Sequence, residues 1–299
     1  MLHKNKENIL FQIYFEVDEM NKNLDSRPSL DTEDGLVNHP RGPKCRLSDS
    51  EIMTILCFYH VSGFKNFQYY YEQMVLSGDL KAFFPNAVSY NRFVELIPRI
   101  AQRLNFFAKL RCFQSEQTGI YFADSKKLPV CDNKRIKSNQ VFKDVGGRGK
   151  SSTGWFYGLK VHLVVNNIGQ IMSFCFTAAN VSDNDNNVLD CLFKSVKGKC
   201  FADKGYLTKK FEHFYEKGIQ IITKIRKNMK NTLMQFSDKL WLRKRAMIES
   251  INDLLMTICD IDHSRHRNPW NAVVHGIAGL IAYSYYETKP SVFIPNEFL

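Results

Sequence analysis

The sequence predicts an α/β fold in which a mixed β-sheet is flanked by helices and is preceded by an all-helical module. Three observations support this prediction. Helical periodicity with a capping-box pattern dominates residues 47–115, runs rich in aromatic and β-branched residues begin near residue 119, and strand and helix signals then alternate. The predicted domains are therefore an N-terminal helix and linker (1–46), a helical module (47–115) and an α/β domain (116–299).

Helix signals account for the first part of the chain. Residues 1–24 are expected to form a short helix, and the Pro-, Gly- and charge-rich residues 25–46 are expected to form a linker. Ser48 and Glu51 form a capping-box pattern at the start of the next helix, and Gly63 is its expected end. Two further helical segments complete the module.

Strand and helix signals alternate in the rest of the chain. Three successive strand-like runs precede a helix whose Ser, Asp and Asn cluster includes Asp183 and Asp185, which we interpret as helix caps. A strand, a helix, a strand and one long amphipathic helix over residues 239–259 follow. The apolar residues 272–286 contain His275 and are too few to span a membrane, so we expect a buried core helix. This order suits a mixed sheet with helices on its faces.

The charge balance indicates a polyanionic partner. The chain carries 41 Lys and Arg against 30 Asp and Glu, a formal net charge of +11. The excess is largest between Lys126 and Lys160, where basic residues far outnumber acidic ones. The eight cysteines form no C-x-x-C pair, which argues against a structural zinc site or a disulfide scaffold and favours reduced thiols in a cytosol. No signal peptide is visible, and no membrane partner is expected.

The same short pattern, Phe-Ala-Asp, ends two of the predicted strands. It occurs at Asp124 and again at Asp203, each time after an apolar run and before a lysine. Either aspartate alone is more often a turn or cap residue than a ligand. Two carboxylates at the ends of two strands of one sheet are more informative, because strand ends hold side chains in fixed positions.

A third carboxylate lies on the long amphipathic helix. Apolar residues at helical spacing predict a stripe that packs on the core, formed by Ile248, Ile251, Leu255 and Ile258. Polar residues three and four apart share the neighbouring face, namely Arg245, Glu249, Asn252 and Asp253. Glu249 can therefore point across the edge of the sheet. The alternative is an ordinary ion pair between Arg245 and Glu249.

Together these carboxylates predict a magnesium site for phosphoryl transfer. Mg²⁺ prefers oxygen ligands and is usually held by only a few carboxylates. Two such ions, roughly 3.5 to 4 Å apart, activate an attacking oxygen and stabilise a leaving one. We therefore expect Asp124, Asp203 and Glu249 to be both the metal ligands and the catalytic residues, with two Mg²⁺ ions and with Mn²⁺ as a possible substitute.

Residues near these carboxylates are expected to contact DNA. The candidates are basic or flank the predicted cleft: Lys126, Lys127, Arg148, Lys150, Lys160, His162, Lys204, Tyr206, Arg245, Arg265 and Arg267. For Arg148, Lys150 and Lys160 the alternative is a solvated loop. For His162 the alternative is a histidine that serves only as a hydrogen-bonding partner.

Several long motifs resemble the DDE transposases of bacterial insertion sequences, specifically the insertion-sequence 982 type. The matching stretches are "ADSKKLPV", "RGKSSTGWFYGLKVHLVVN", "ADKGYL", "LRKRAMIESINDLL" and "DHSRHRNPWN". Upstream, "LSDSEIMTILCFYHVSGFKNF" and "SYNRFVEL" are also similar, so the resemblance covers most of residues 46–290. Asp203 begins a D-x-G-Y motif, and Arg245 with Glu249 forms an R-x-x-x-E motif.

This resemblance implies an RNase H-like catalytic domain and a Mg²⁺-dependent DNA transposase. Asp124 and Asp203 would be its two aspartates and Glu249 its glutamate, and the partners would be the terminal repeats of the element and target DNA. A homodimer on DNA and a bacterial, nucleoid-associated location in the cytoplasm are further expectations. The alternatives are an RNase H-like nuclease without strand transfer and an inactive or domesticated DNA-binding descendant.

Two positions depart from the pattern of related transposases. These transposases usually carry a lysine seven residues after the glutamate, where this chain has Met256. They often carry a tyrosine three residues before the arginine, where this chain has Leu242. Met256 is the reason for the alternative of an inactive descendant, because a lysine at that position would contact DNA.

Overall fold

The computed structural model describes residues 4–26, 45–151, 154–207, 211–224, 234–262 and 266–295. The helices of these residues are α1 (Lys4–Asp25), α2 (Asp49–Ser62), α3 (Phe67–Tyr70), α4 (Tyr90–Phe113), α5 (Asn186–Phe193), α6 (Phe211–Glu216), α7 (Phe236–Lys244), α8 (Ala246–Thr257) and α9 (Pro269–Ser284). The strands are β1 (Ile120–Cys131), β2 (Gly147–Ser151), β3 (Gly154–Asn166), β4 (Ile171–Ala178), β5 (Gly198–Ala202) and β6 (Ile219–Thr223). A π-helix and two 3₁₀-helices lie between them, at Tyr71–Leu76, Asn133–Ser138 and Lys204–Tyr206.

The helical start of the chain follows its sequence signals. The capping box is present, since the Ser48 hydroxyl accepts a hydrogen bond from the Glu51 amide and the Glu51 carboxylate accepts one from the Ser48 amide. Gly63 ends α2 in the left-handed conformation with φ 89°. The N-terminal helix is also confirmed, as α1. Most of the expected linker, residues 27–44, lies outside the described residues.

The helical module packs directly against the last helix. α2 and α4 both lie on α9, whose residues from Val274 to Tyr283 are buried, so the prediction of a buried core helix is confirmed. The apolar core is continuous from these helices to one side of the sheet. The domain boundaries at residues 46 and 115 stay predictions. None of the described helices is long and apolar enough to cross a membrane.

The sheet is mixed, and β1 lies near its centre. β1 pairs antiparallel with β3 and parallel with β5, and β6 extends the sheet parallel to β5. β4 and β2 both pair antiparallel with β3. Helices lie on both faces, so the predicted fold class, an RNase H-like mixed sheet behind a helical region, is confirmed.

The two faces of the sheet can be assigned from the register. Phe122, Leu163 and Phe201 belong to the core that includes α8 and α9, and we call this side the α8 face. Tyr121 and Cys200 belong to a second cluster that includes α5, and we call that side the α5 face. Since successive side chains of a strand alternate between faces, the faces of neighbouring residues follow from these anchors.

Three local features differ from the expectations. β2 was not predicted, because its glycines suggested a loop. The close approach of Gly147 and Gly149 to Asn180 and Ala179 leaves no room for a Cβ, so glycine is required for this strand to pair. The predicted long helix is broken at Arg245 into α7 and α8.

The third difference concerns the end of the predicted core stripe. Ile248, Ile251 and Leu255 are fully buried as predicted, but Ile258 is 44% exposed. The reason is that α8 ends at Thr257 and the chain then turns through Asp260, which has a positive φ of 55°. Ile258 therefore leaves the helical face that packs on the sheet.

This difference gives a matched test of the packing of α8. Ile251→Ala should lower the free energy of unfolding by about 2–5 kcal/mol, because it opens a cavity in a well-packed core. Ile258→Ala removes the same atoms from an exposed position and should change it by less than about 0.5 kcal/mol. Urea denaturation followed by circular dichroism measures both values, and equal losses would contradict the described position of α8.

Candidate active site

Two aspartates lie side by side on the neighbouring parallel strands β1 and β5. Asp203 directly follows β5, but Asp124 lies within β1, so the prediction that Asp124 ends its strand was wrong. The reason is that β1 continues to Cys131 in its antiparallel pairing with β3 after its pairing with β5 has ended. The last paired residues of β1 and β5 are Ala123 and Ala202, which lie on the α5 face. Asp124 and Asp203 follow them directly and therefore both point to the α8 face. Because neighbouring strands are about 4.8 Å apart, the two carboxylates start from adjacent backbone positions.

The Asp124 carboxylate is largely buried between α8 and the sheet. Asn252 donates a hydrogen bond from Nδ2 to Oδ2 of Asp124 at 2.9 Å, and Nη1 of Arg245 lies 3.6 Å from its Oδ1. Burial raises the pKa of Asp124 to about 6, and the negative charges of Glu249 and Asp183 act in the same direction. The Arg245 guanidinium and the Ser125 amide oppose this rise. Ionisation of Asp124 therefore lowers the stability of the folded protein.

Arg245 connects the first carboxylate with that of Glu249. Its Nη2 donates a hydrogen bond to Oε1 of Glu249 at 3.2 Å, while Nη1 is directed towards Asp124. Glu249 itself is more than half exposed. The ion pair that was the alternative interpretation of Glu249 is thus present, and the same guanidinium also joins Glu249 to the buried aspartate.

Asp203 has the fewest contacts of the three carboxylates. It is exposed, and among the described residues its side chain has no hydrogen-bond or ion-pair partner. Its backbone carbonyl accepts a hydrogen bond from the Tyr206 amide at 3.0 Å, which begins the 3₁₀ turn Lys204–Tyr206. The turn is anchored on the opposite face of the sheet, because the Tyr206 side chain is buried on the α5 face.

The donor atoms of this site fit a hard divalent cation. They are carboxylate oxygens on one face, without a sulfur or imidazole ligand, and Oδ1 of Asn252 is a buried oxygen without a hydrogen-bond partner in the described structure. No three His, Cys, Asp or Glu side chains of the described residues form a ready-made metal-binding group. Between Asp124 and Glu249 the positive charge is supplied instead by Arg245.

Asp183 is a carboxylate whose role the sequence did not reveal. Its Oδ1 accepts hydrogen bonds from Nζ of Lys160 at 2.9 Å and from Oγ of Ser125 at 3.0 Å, and lies 3.7 Å from Nδ1 of His162. The interpretation of Asp183 as a helix cap was therefore wrong. The same interpretation of Asp185 is confirmed, because Asp185 caps α5.

Asp183 lies against the segments that follow both aspartates of the site. Ser125 follows Asp124 in β1, and a Cβ on Gly205 would lie only 3.1 Å from Oδ2 of Asp183. Ser125 pairs with His162 and Lys127 pairs with Lys160 on the α5 face. The sequence signal for this arrangement was incomplete, because Lys160 within an apolar strand-like run requires a carboxylate partner but does not indicate which one.

Several of the predicted DNA contacts are engaged within the protein. His162 is fully buried, its Nε2 lies 2.9 Å from Oγ1 of Thr177, and burial lowers its pKa to about 4. This is the hydrogen-bonded histidine of the alternative interpretation. Tyr206 is also buried, and Lys160 is occupied by Asp183.

The remaining candidates lie at the surface or partly exposed. Lys126 lies on the α8 face and pairs with Asp253 at 3.3 Å. Lys127 and Lys204 are half-buried, and Arg267 is exposed. Arg265 lies outside the described residues. Arg148 and Lys150 are exposed on β2, so the solvated-loop alternative was wrong about their secondary structure.

The two unusual positions of α7 and α8 are both apolar and buried. Met256 and Leu242 are each less than one-tenth exposed and belong to the continuous core. Met256 lies on the buried side of α8, the helix that also carries Glu249.

The part of the chain that contains these site residues matches a known protein family. Residues 114–269, slightly more than half of the chain, match the family model described as "Transposase DDE domain". Among solved structures, the chain is similar to the Mos1 mariner paired end complex with Mn, at 11% identity and a TM-score of 0.19 over 73% of this chain and 77% of that chain. It is also similar to the Mos1 strand transfer complex, at 12% identity and a TM-score of 0.21 over 96% and 100%. The curated proteins contain no match.

The raised pKa of Asp124 predicts a pH-dependent cost to stability. A carboxyl group whose pKa is higher in the folded protein than in the unfolded chain stabilises the fold only while protonated, and this contribution is lost as the pH rises from about 3.8 to about 6. Asp124→Asn should therefore raise the free energy of unfolding by on the order of 2 kcal/mol at pH 7.5 and by much less at pH 4. Urea denaturation at both pH values is the measurement. Asp203→Asn is the exposed control and should leave it nearly unchanged, whereas equal behaviour of the two variants would contradict the burial of Asp124.

The network around Asp183 predicts energetic coupling with Lys160. Asp183→Ala leaves a largely buried ammonium without its counter-charge and should lower the free energy of unfolding by roughly 1–3 kcal/mol. In the Asp183→Ala/Lys160→Ala double variant the loss should be clearly smaller than the sum of the two single losses. Asp185→Ala, which removes only a cap, should cost about 1 kcal/mol and add independently. Additive losses for Asp183 and Lys160 would show that the pair does not interact.

Proposed function

This chain belongs to the transposases with a DDE domain, and we propose that it cuts DNA at the ends of an insertion sequence and joins those ends to target DNA. The observation that carries the proposal is the position of Asp124 and Asp203 at adjacent places on neighbouring strands, with the helix-borne Glu249 joined to Asp124 through Arg245. The family match supports a transposase. The joint contact of Asp124 and Glu249 with Arg245, and the position of Asp203 beside Asp124, support the assignment of these carboxylates to the reaction.

In this proposal the three carboxylates hold divalent cations, and Mg²⁺ is the expected ion. DDE transposases generally use divalent metal ions. When bound, such ions lower the pKa of an attacking water or hydroxyl and stabilise the leaving oxygen. The exposed Asp203 and Glu249 are accessible to a hydrated ion, whereas Asp124 supplies a buried, oriented oxygen. Mn²⁺ uses the same donor atoms and should substitute.

The other residues of the site orient and balance these carboxylates. Asn252 fixes the rotation of the Asp124 carboxylate by its hydrogen bond, and Arg245 restrains Glu249 near Asp124 while offsetting their repulsion. Asp183 holds Ser125 and therefore the backbone that follows Asp124. Such fixed positions are what a phosphoryl-transfer site requires, because most of the rate gain comes from positioning and charge.

The proposed reaction has two steps at this one site. Water first attacks the phosphodiester at the end of the element, the bond from phosphorus to the 3′-oxygen breaks, and a 3′-hydroxyl is released with a 5′-phosphate on the other strand end. That hydroxyl then attacks a phosphodiester of the target, forms a new phosphodiester and displaces the target's own 3′-oxygen. A proton leaves the attacking oxygen and another reaches the leaving oxygen in each step.

DNA recognition is assigned to the helical module and to the exposed cations. The start of α4, residues 89–93, is the candidate recognition helix, with Tyr90 and Asn91 lining a cleft that Arg267 and Asn268 border from the other side. Double-stranded DNA of the terminal repeats and of the target would be the partners. A homodimer on two ends and a nucleoid location in a bacterial cytoplasm complete the proposal.

A joining assay tests this proposal directly. The protein is incubated with a labelled DNA end taken from beside its own gene, a supercoiled target plasmid and Mg²⁺. We expect joined products, and Asp203→Asn should lower their yield by a factor of about 10³ or more, because one metal ligand is lost without a change of fold. Glu216→Gln, which removes a negative charge from an exposed residue of α6 away from the site, is the matched control and should remain active.

The outcomes of this assay separate the alternatives. Cleavage without joining would indicate a nuclease, and binding without cleavage would indicate an inactive descendant. Full activity of Asp203→Asn, with a normal fold in circular dichroism, would contradict the assignment of the metal site. Activity with Mn²⁺ or Mg²⁺ but not after chelation of divalent ions would support it.

A further inference from the structure

An exposed tryptophan lies between two cations on the β2–β3 hairpin. Trp155 is 51% exposed, the Arg148 guanidinium carbon lies 5.0 Å from the centre of its ring, and the Lys150 ammonium lies 5.8 Å from it. We call these three residues the Trp155 patch. Gly147 and Gly149 alternate with the two cations and face inwards, so Arg148 and Lys150 necessarily share the outward side.

The patch lies on the same face of the sheet as the carboxylates. Leu163 is paired with Asp124, and Trp155 has the same parity along β3, so both side chains point to the α8 face. Lys150 is paired with Trp155, which puts the cations on that face as well. The separation along β3 is about eight residues, or about 26 Å, which corresponds to roughly eight base pairs of duplex DNA.

The cations of the patch are available to an anion. Among the described residues neither Arg148 nor Lys150 forms an ion pair with an acidic side chain. A second basic surface adjoins them, because Nδ2 of Asn133 donates a hydrogen bond to the Trp155 carbonyl at 2.8 Å and thereby fixes the 3₁₀-helix Asn133–Ser138 to the hairpin. That helix exposes Lys134, Arg135 and Lys137. An aromatic ring within a cluster of unpaired cations is typical of a nucleic-acid surface.

We propose that the Trp155 patch binds the backbone of the duplex DNA that flanks the reacting phosphodiester, with Trp155 as a positioning residue for Arg148. This inference rests on the proposed function, since it assumes that DNA lies across the carboxylates. The stacked ring holds the planar guanidinium in one orientation, so that its N–H groups stay directed outwards at a phosphate.

Trp155 is expected to strengthen DNA binding by Arg148 because ordering a long side chain costs free energy. A free arginine loses rotamer freedom when it binds a phosphate, whereas a guanidinium already stacked on a ring has lost much of it beforehand. Removal of the ring should therefore weaken binding although it removes no charge. Removal of Arg148 should weaken it further and also lower the salt dependence, because one counterion fewer is released.

A double-mutant cycle on DNA binding tests this role. The probe is a fluorescent 30-base-pair duplex without divalent metal, and its affinity is measured by fluorescence anisotropy over a salt series. Arg148→Ala should weaken binding about tenfold and reduce the slope of log K against log salt by about 0.9. Trp155→Ala should weaken binding about three- to fivefold with the slope nearly unchanged, and Trp155→Phe should retain most of the affinity.

The combined variant decides between positioning and direct contact. If Trp155 acts through Arg148, the Arg148→Ala/Trp155→Ala variant binds as Arg148→Ala alone does. A further loss on the Arg148→Ala background would mean that the ring itself contacts DNA, and it would overturn the positioning role. Tyr215→Ala, at an exposed aromatic residue on α6, is the control and should bind as the wild type does.

Failure of this inference is distinguishable from failure of the proposed function. Normal binding by both single variants would overturn the patch alone, because the wild type would still bind the duplex. Absence of wild-type binding to the duplex at low salt would overturn the proposed function itself.

Discussion

The bridge of Arg245 between Asp124 and Glu249 is the interaction on which the candidate site depends. A buried carboxylate beside a second acid is costly, and the guanidinium offsets that cost without removing either oxygen donor. The helix break at Arg245 makes this possible. Since α7 ends just before it and α8 begins just after it, the side chain is free to turn from Glu249 on its own helix towards the strand.

The rest of the fold fixes the relative positions of Asp124, Asp203 and Glu249. The parallel pairing of β1 with β5 puts Asp124 and Asp203 at adjacent positions of the two strands, and the packing of the buried side of α8 fixes the position of Glu249 over the sheet. On the opposite face Asp183 joins the residue after Asp124 to the turn after Asp203. The site is thus held from both sides of one sheet, and its open side carries the exposed Asp203.

The sequence predicted the parts of this arrangement that follow from periodicity. The capping box at Ser48 depends on a local pattern and is present, and the predicted stripe of α8 is buried at Ile248, Ile251 and Leu255 but not at Ile258. Of the two aspartates predicted to end strands, Asp203 does so, whereas Asp124 lies within β1. Asp183 was misinterpreted because its partners, Lys160 and Ser125, come from distant strands that no local pattern connects. The break at Arg245 was missed because the residues around it favour helix and none of them signals an end.

The central claim is that Asp124, Asp203 and Glu249 hold one divalent metal centre, and radical cleavage at the metal measures this most directly. Fe²⁺ in place of Mg²⁺, with ascorbate and peroxide, produces hydroxyl radicals that cut the polypeptide next to the bound ion. The account predicts cuts close to all three residues, which disappear when excess Mg²⁺ competes for the site. Cuts elsewhere in the chain, with none beside Asp203 or Glu249, would contradict it.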